Sequence, residues 1–260
     1  MSVNLYEEMC ADFFPVFKKI LDCEKYAITL GGSHGKGVSD VNSDYDFRIF
    51  YEKSVSKDEM KLIGNEVKQL VAKWDKKGVK VDGIWPRSVE EIDRQIDSVF
   101  SGNFELVHKE WTLWGYSVLT DVFNQKIVED PFGIAQNWKN RLSVYPDALK
   151  NSILAKACSS LRYWRNDYHY LSKLKRKDVT FLASIASRLI NDIIQIIYAL
   201  NEFYYPGDGM NLTYTVQFKV KPQNFEDRVT GILYPSPSGD IFQTQYDELI
   251  RLIDDTLGLV

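Results

Sequence analysis

The chain has 260 residues, enough for one large domain or two modest ones with ample core. Its composition is ordinary for a globular protein, 45% hydrophobic, 26% charged and 13% aromatic, which favours well-filled cores and pockets. A formal net charge of −4 argues against a general nucleic-acid binder, while leaving room for a local basic pocket.

Residues 3–21 read as a helix, with Leu5, Met9, Phe13, Val16 or Phe17, and Ile20 at helical spacing and Pro15 placed to kink it. A short β-type run follows at residues 26–30, and it breaks at Gly31-Gly32-Ser33. A small Gly-rich turn leads to a second strand carrying Asp44 and Asp46. Strand side chains alternate, so Asp44, Asp46 and Arg48 share one face, and Tyr45, Phe47, Ile49 and Tyr51 share an apolar face that should bury. The two strands should pair, because a short connection joins them. That brings the turn beside the two carboxylates. Residues 53–57 form a polar break, and 58–76 an amphipathic helix with Leu62, Ile63, Val67, Leu70, Val71 and Trp74 on one face. A short strand at residues 79–85 is stopped by Pro86. On it Val79 and Val81 face one way, Lys80 and Asp82 the other.

Paired carboxylates beside a flexible turn suit a metal–nucleotide site. Magnesium wants oxygen ligands and is usually held by one or two carboxylates plus substrate phosphates. Glycines let backbone N–H groups approach a phosphate, and the Ser33 hydroxyl can donate to one. If residues 33–40 begin a short helix, its N-terminus adds donors. His34 lies inside this turn and is read either as a phosphate contact or as a turn residue without a role.

Gly32-Ser33, a ten-residue gap, then Asp44-Tyr45-Asp46 in an apolar strand resembles the signature of the nucleotidyltransferase superfamily, the DNA polymerase β-like fold that includes the aminoglycoside and lincosamide nucleotidyltransferases. The resemblance covers about 20 residues. It implies an α+β fold, a small mixed sheet flanked by helices, followed by a C-terminal helical bundle. It implies that Gly32 and Ser33 hold a nucleoside triphosphate, ATP first, and that Asp44 and Asp46 bind magnesium in a two-metal site. Asp82 falls where the family has its third carboxylate, as metal ligand and catalytic residue; the plain alternative is a strand-end aspartate that caps the next turn.

Residues 88–100 read as a helix capped by Ser88. Val118-Leu119 and Ile127-Val128 look like two short strands, and residues 130–133 like a turn. Glu105 and Glu110 are read as solvated, with a role in deprotonating an acceptor as the alternative that the resemblance suggests. The pattern turns helical near Tyr145-Pro146. This gives a catalytic domain over residues 1–145 and an α-helical acceptor-binding domain over 146–260. Residues 147–174 form one or two helices with Leu149, Ile153, Leu154, Cys158, Leu161, Tyr168 and Leu171 apolar; Lys156, Arg162, Arg165 and Lys173 are basic, each read as solvated before triphosphate-binding. Residues 179–204 are a strongly apolar helix at the centre of a bundle, in which Asn191, Asp192 and Gln195 need partners if buried. Residues 211–223 read as irregular or extended, and 224–233 and 241–256 as closing helices.

Cys10, Cys23 and Cys158 are few and widely spaced, and the cysteines and His34, His108 and His169 make no zinc spacing, which points to a reducing cytoplasm. The chain does not open like a signal peptide. Its most apolar stretch, residues 193–200, is too short to span a bilayer, so no membrane partner is expected. The reading is a metal-dependent nucleotidyltransferase that moves an NMP to a hydroxyl of a small acceptor such as an antibiotic. A protein acceptor, or an inactive nucleotide-binding regulator, is the alternative.

Overall fold

The computed structural model describes residues 3–20, 25–52, 57–106, 117–206, 211–237 and 239–260. The chain divides into two compact units, one of Met1–Ser98 with Val118–Val144, the other of Val99–Ser117 with Tyr145–Val260.

The first unit runs α1 (Val3–Ile20), β1 (Tyr26–Leu30), α2 (Gly32–Lys36), β2 (Tyr45–Tyr51), α3 (Lys57–Asp75), β3 (Val81–Ser88), α4 (Val89–Phe100), α5 (Ser117–Asn124), β4 (Lys126–Glu129) and α6 (Ile134–Leu142). The four strands form one mixed sheet in the order β3-β2-β1-β4. β1 is antiparallel to both β2 and β4, and β2 is parallel to β3. The alternation in β2 does what its sequence dictates: Tyr45, Phe47 and Ile49 are buried. They join Met9, Phe13 and Phe17 of α1 and Ile63, Val67 and Trp74 of α3 in one core. Full burial of each such large apolar side chain contributes about 1.5–3 kcal/mol. The Phe17 and Phe47 rings meet edge-on at 5.3 Å. The other face is partly covered too, because Phe50 is fully buried and meets Trp138 of α6 edge-on at 4.9 Å.

α1 holds Pro15 within its span, Val3–Ile20. Elsewhere the structure departs from the sequence expectations. Asp44 lies just ahead of β2 rather than in it. Leu62 is 66% exposed, while its neighbour Ile63 carries the buried face of α3. β3 continues through Pro86 to Ser88: it is an edge strand, where a missing N–H costs no ladder bond on the free side. Val118-Leu119 belongs to a helix, not a strand, since Leu119 and Val122 recur at helical spacing and bury together. The following Ile127-Val128 pair does lie in a strand, β4, beside β1. α6 was not anticipated.

The second unit contains α7 (Asp147–Arg165), α8 (Tyr168–Lys175), α9 (Val179–Leu200), α10 (Asn211–Thr215), α11 (Phe225–Leu233) and α12 (Ile241–Leu257). α9 is its centre, packed against α7, α8, α11 and α12. Asp178 caps α9 by accepting the Phe181 N–H, and the helix ends at Leu200 rather than 204. Asp167 starts α8 afresh by accepting the His169 N–H. The restart moves the apolar register, so Tyr170 and Leu174 are buried while Tyr168 and Leu171 are exposed. Residues 211–215, expected irregular, are helical. Asp192 and Gln195 are buried in α9, and both have interaction partners. Contrary to the length argument from sequence, Val179–Leu200 is long and apolar enough to cross a membrane. It is the one such helix among the described residues, and 61% of its apolar window is buried within the protein.

Candidate active site

β1 leaves the sheet at Gly31, whose N–H donates to the Asp46 carbonyl at 2.8 Å. Gly32 has φ +55°, a left-handed conformation that favours glycine, and a Cβ there would sit 1.9 Å from Asp46 Oδ2. The turn is thus packed directly on the carboxylate. α2 is a single short turn of helix that ends at Gly37 in the left-handed region. Within it Ser33 Oγ is buried with no hydrogen-bond partner among the described residues. The His34 ring stacks on Tyr45 at 4.0 Å, and its Nε2 is also buried without a hydrogen-bond partner among the described residues. Burial, opposed by the nearby Asp44 carboxylate, holds the His34 pKa below its ordinary value.

Asp44, Asp46 and Asp82 come together at this edge of the sheet, each with a carboxylate oxygen within 4.8 Å of the others. Asp46 is half-buried and Asp82 exposed. The position of Asp82 depends on an irregularity. The β2–β3 register runs Tyr45↔Val81 and then Asp46↔Gly83, so Asp82 is an extra residue in a bulge. Bulges of this kind re-aim a side chain. Burial pushes the Asp46 carboxyl up to about 6; Arg48 opposes this, and Asp44, Asp82 and Asp121 add to it. An oxygen-only set of crowded carboxylates suits a hard divalent cation, which would relieve this repulsion.

Three residues around Asp46 had no assigned role in the sequence reading. Arg48 Nε donates to Asp121 Oδ2 at 3.0 Å, and its Nη1 faces Asp46 Oδ1 at 3.6 Å. Gln125, fully buried, donates to Asp121 at 2.9 Å and accepts from Thr29 Oγ1 at 2.6 Å. Alternation had put Arg48 on the right face. No local signal locates Asp121 or Gln125, because the sequence pattern of this segment suggests two short strands and a turn.

The other candidates belong to the second unit or fall outside the described residues. Glu105 is exposed in the second unit, and Glu110 and His108 fall outside the described residues. Lys156 donates to the Leu106 carbonyl, Arg165 pairs with Asp254, and Lys173 pairs with Asp178 at 3.0 Å. Arg162 is exposed.

Residues 12–101 match the nucleotidyltransferase domain family, which supports the resemblance of this part of the chain to the nucleotidyltransferase superfamily. Residues 111–209 match a domain of unknown function (DUF4037). No curated protein matches the chain. The two matches do not follow the compact units, since residues 118–144 fall in the second match yet pack into the first unit.

Proposed function

We propose that this protein transfers an NMP, AMP first, from a nucleoside triphosphate to a hydroxyl of a small molecule of the aminoglycoside or lincosamide kind, releasing pyrophosphate. The observation that carries the reading is the convergence of Asp44, Asp46 and Asp82 beside the Gly32-Ser33 turn. Asp44 and Asp46 would hold magnesium, and Asp82 would be a further ligand to it or would take the acceptor's proton. Bound magnesium would neutralise phosphate charge and stabilise the attacking and leaving oxygens. Ser33 Oγ, which has no hydrogen-bond partner among the described residues, donates to a phosphate oxygen, and Gly32 lets the backbone approach. The acceptor oxygen attacks the α-phosphorus, its proton passes to Asp82 or solvent, and the α–β bond breaks with its electron pair leaving on pyrophosphate. Positioning and electrostatics supply most of the acceleration.

In this reading residues 146–260 bind the acceptor, the protein works in the cytoplasm, and membrane and nucleic acid are not partners. The presence of all three carboxylates weighs against an inactive nucleotide-binding regulator. The test is calorimetry with nucleoside triphosphates, with and without magnesium, on wild type and Asp44→Ala/Asp46→Ala, followed by pyrophosphate release against pooled antibiotics. Magnesium-dependent binding lost in the double variant, then release with one pool, is the expected result. A folded wild type that binds no triphosphate overturns the reading.

A further inference from the structure

Behind Asp46 runs a chain of polar contacts, all within the first unit. Arg48 follows Asp46 by two on β2, so both point to the same face. The guanidinium bridges Asp46 and Asp121, and it also lies 5.7 Å from the Trp85 ring. Gln125 holds the same Asp121 oxygen that Arg48 uses. Gln125 in turn is held by Thr29, which stands opposite Arg48 in the β1–β2 register. Lys139 of α6 donates to the Gln125 carbonyl at 2.8 Å and pins the end of α5. The Arg48 and Asp46 side chains are only 13% and 14% exposed, so their charges are weakly screened.

We propose that Asp121 is a positioning residue of the carboxylate cluster: acting through Arg48, it balances the guanidinium charge and keeps Asp46 packed against the Gly31-Gly32 turn and available to a cation. This rests on the metal-binding role proposed for Asp44, Asp46 and Asp82. With Asp121 neutral, Asp46 becomes the nearest carboxylate left to Arg48, which then competes with the cation for it. Asp121 and Gln125 lie in the segment that matches the domain of unknown function and outside the nucleotidyltransferase match. The start of that segment thereby acquires a task, support of the carboxylate site.

The experiment is a Mn2+ titration by calorimetry on the full chain, without nucleotide, alongside thermal unfolding of each variant. Wild type should bind, and Asp44→Ala/Asp46→Ala should not. Asp121→Asn keeps the shape of the side chain and should weaken Mn2+ binding about 10- to 100-fold, as loss of an outer partner of a metal ligand does. Arg48→Met/Asp121→Asn should recover part of that loss, because the competing cation is gone. Wild-type affinity in Asp121→Asn overturns the inference, and so does a double variant that binds Mn2+ no better than Asp121→Asn alone. If Asp121→Asn does not fold, Arg48→Lys replaces it; Lys keeps the charge but not the two-sided reach, and wild-type affinity there overturns the inference equally. Absence of Mn2+ binding in wild type defeats the metal-dependent reading itself, and this inference with it; a wild-type site that Asp121→Asn leaves untouched defeats only the role of Asp121.

Discussion

Asp46 Oδ2 occupies the space that a Cβ on Gly32 would need, 1.9 Å from where that carbon would lie. The Gly-rich turn and the Asp-x-Asp strand are therefore one packed object, and a change in one is felt in the other. Gly32→Ala meets a left-handed φ, which costs an L-residue about 1–2 kcal/mol. The added methyl must also push the Asp46 carboxylate aside. We expect a modest fall in melting temperature but near-complete loss of magnesium-dependent triphosphate binding. Wild-type binding by a folded Gly32→Ala would show that Asp46 does not need its present position.

Ser33→Ala should separate binding from folding. The hydroxyl has no partner in the described structure, so its removal leaves stability unchanged or slightly raised. Loss of a hydrogen bond to a charged phosphate should weaken triphosphate affinity by about 1.5–3 kcal/mol, roughly 10- to 150-fold. Calorimetry and a thermal melt on the same sample check both halves.

Adjacent residues of α3 should respond in opposite ways to truncation. Ile63 is 5% exposed and Leu62 66% exposed. Ile63→Ala should cost about 2–5 kcal/mol, and Leu62→Ala no more than about 0.5 kcal/mol. Equal costs by urea unfolding would mean that the helix face is misassigned.

Acid stability should depend in part on Asp12. Its carboxylate accepts from Lys73 Nζ at 2.6 Å and from Trp74 Nε1 at 2.8 Å, tying α1 to α3. Lys73 first, then Trp74, hold its pKa below the ordinary carboxylate value against the opposing effect of burial. A carboxyl whose folded pKa is depressed stabilises the fold above its unfolded pKa, and that stability is lost as pH falls through the folded value. Asp12→Asn should therefore cost about 1 kcal/mol at pH 7, with the partly exposed ion pair screened by solvent. The gap to wild type should close well below pH 4. A gap that persists at pH 2.5 in urea titrations would assign the effect to packing instead.

Much of this protein is legible residue by residue. Alternation along β2 announces the buried Tyr45, Phe47 and Ile49 and places Asp46 and Arg48 on the other face. Helical spacing announces α3 and α9, and Gly31-Gly32-Ser33 announces a backbone turn. These signals are short-ranged, set by sterics and side-chain direction within a few residues. The tertiary structure supplied the rest. The bulge that re-aims Asp82 exists only in the pairing of β3 with β2, and Pro86 is tolerated only because β3 lies at the edge. Val118-Leu119 read as a strand because an apolar pair is too short to show a period and Val favours strands, whereas the helix α5 buries Leu119 and Val122 together. The Arg48–Asp121 pair joins residues 73 apart in sequence, and no local pattern encodes which distant carboxylate a buried guanidinium will meet. Periodicity gives each element its inward face, whereas the partners of that face follow from chain topology and packing.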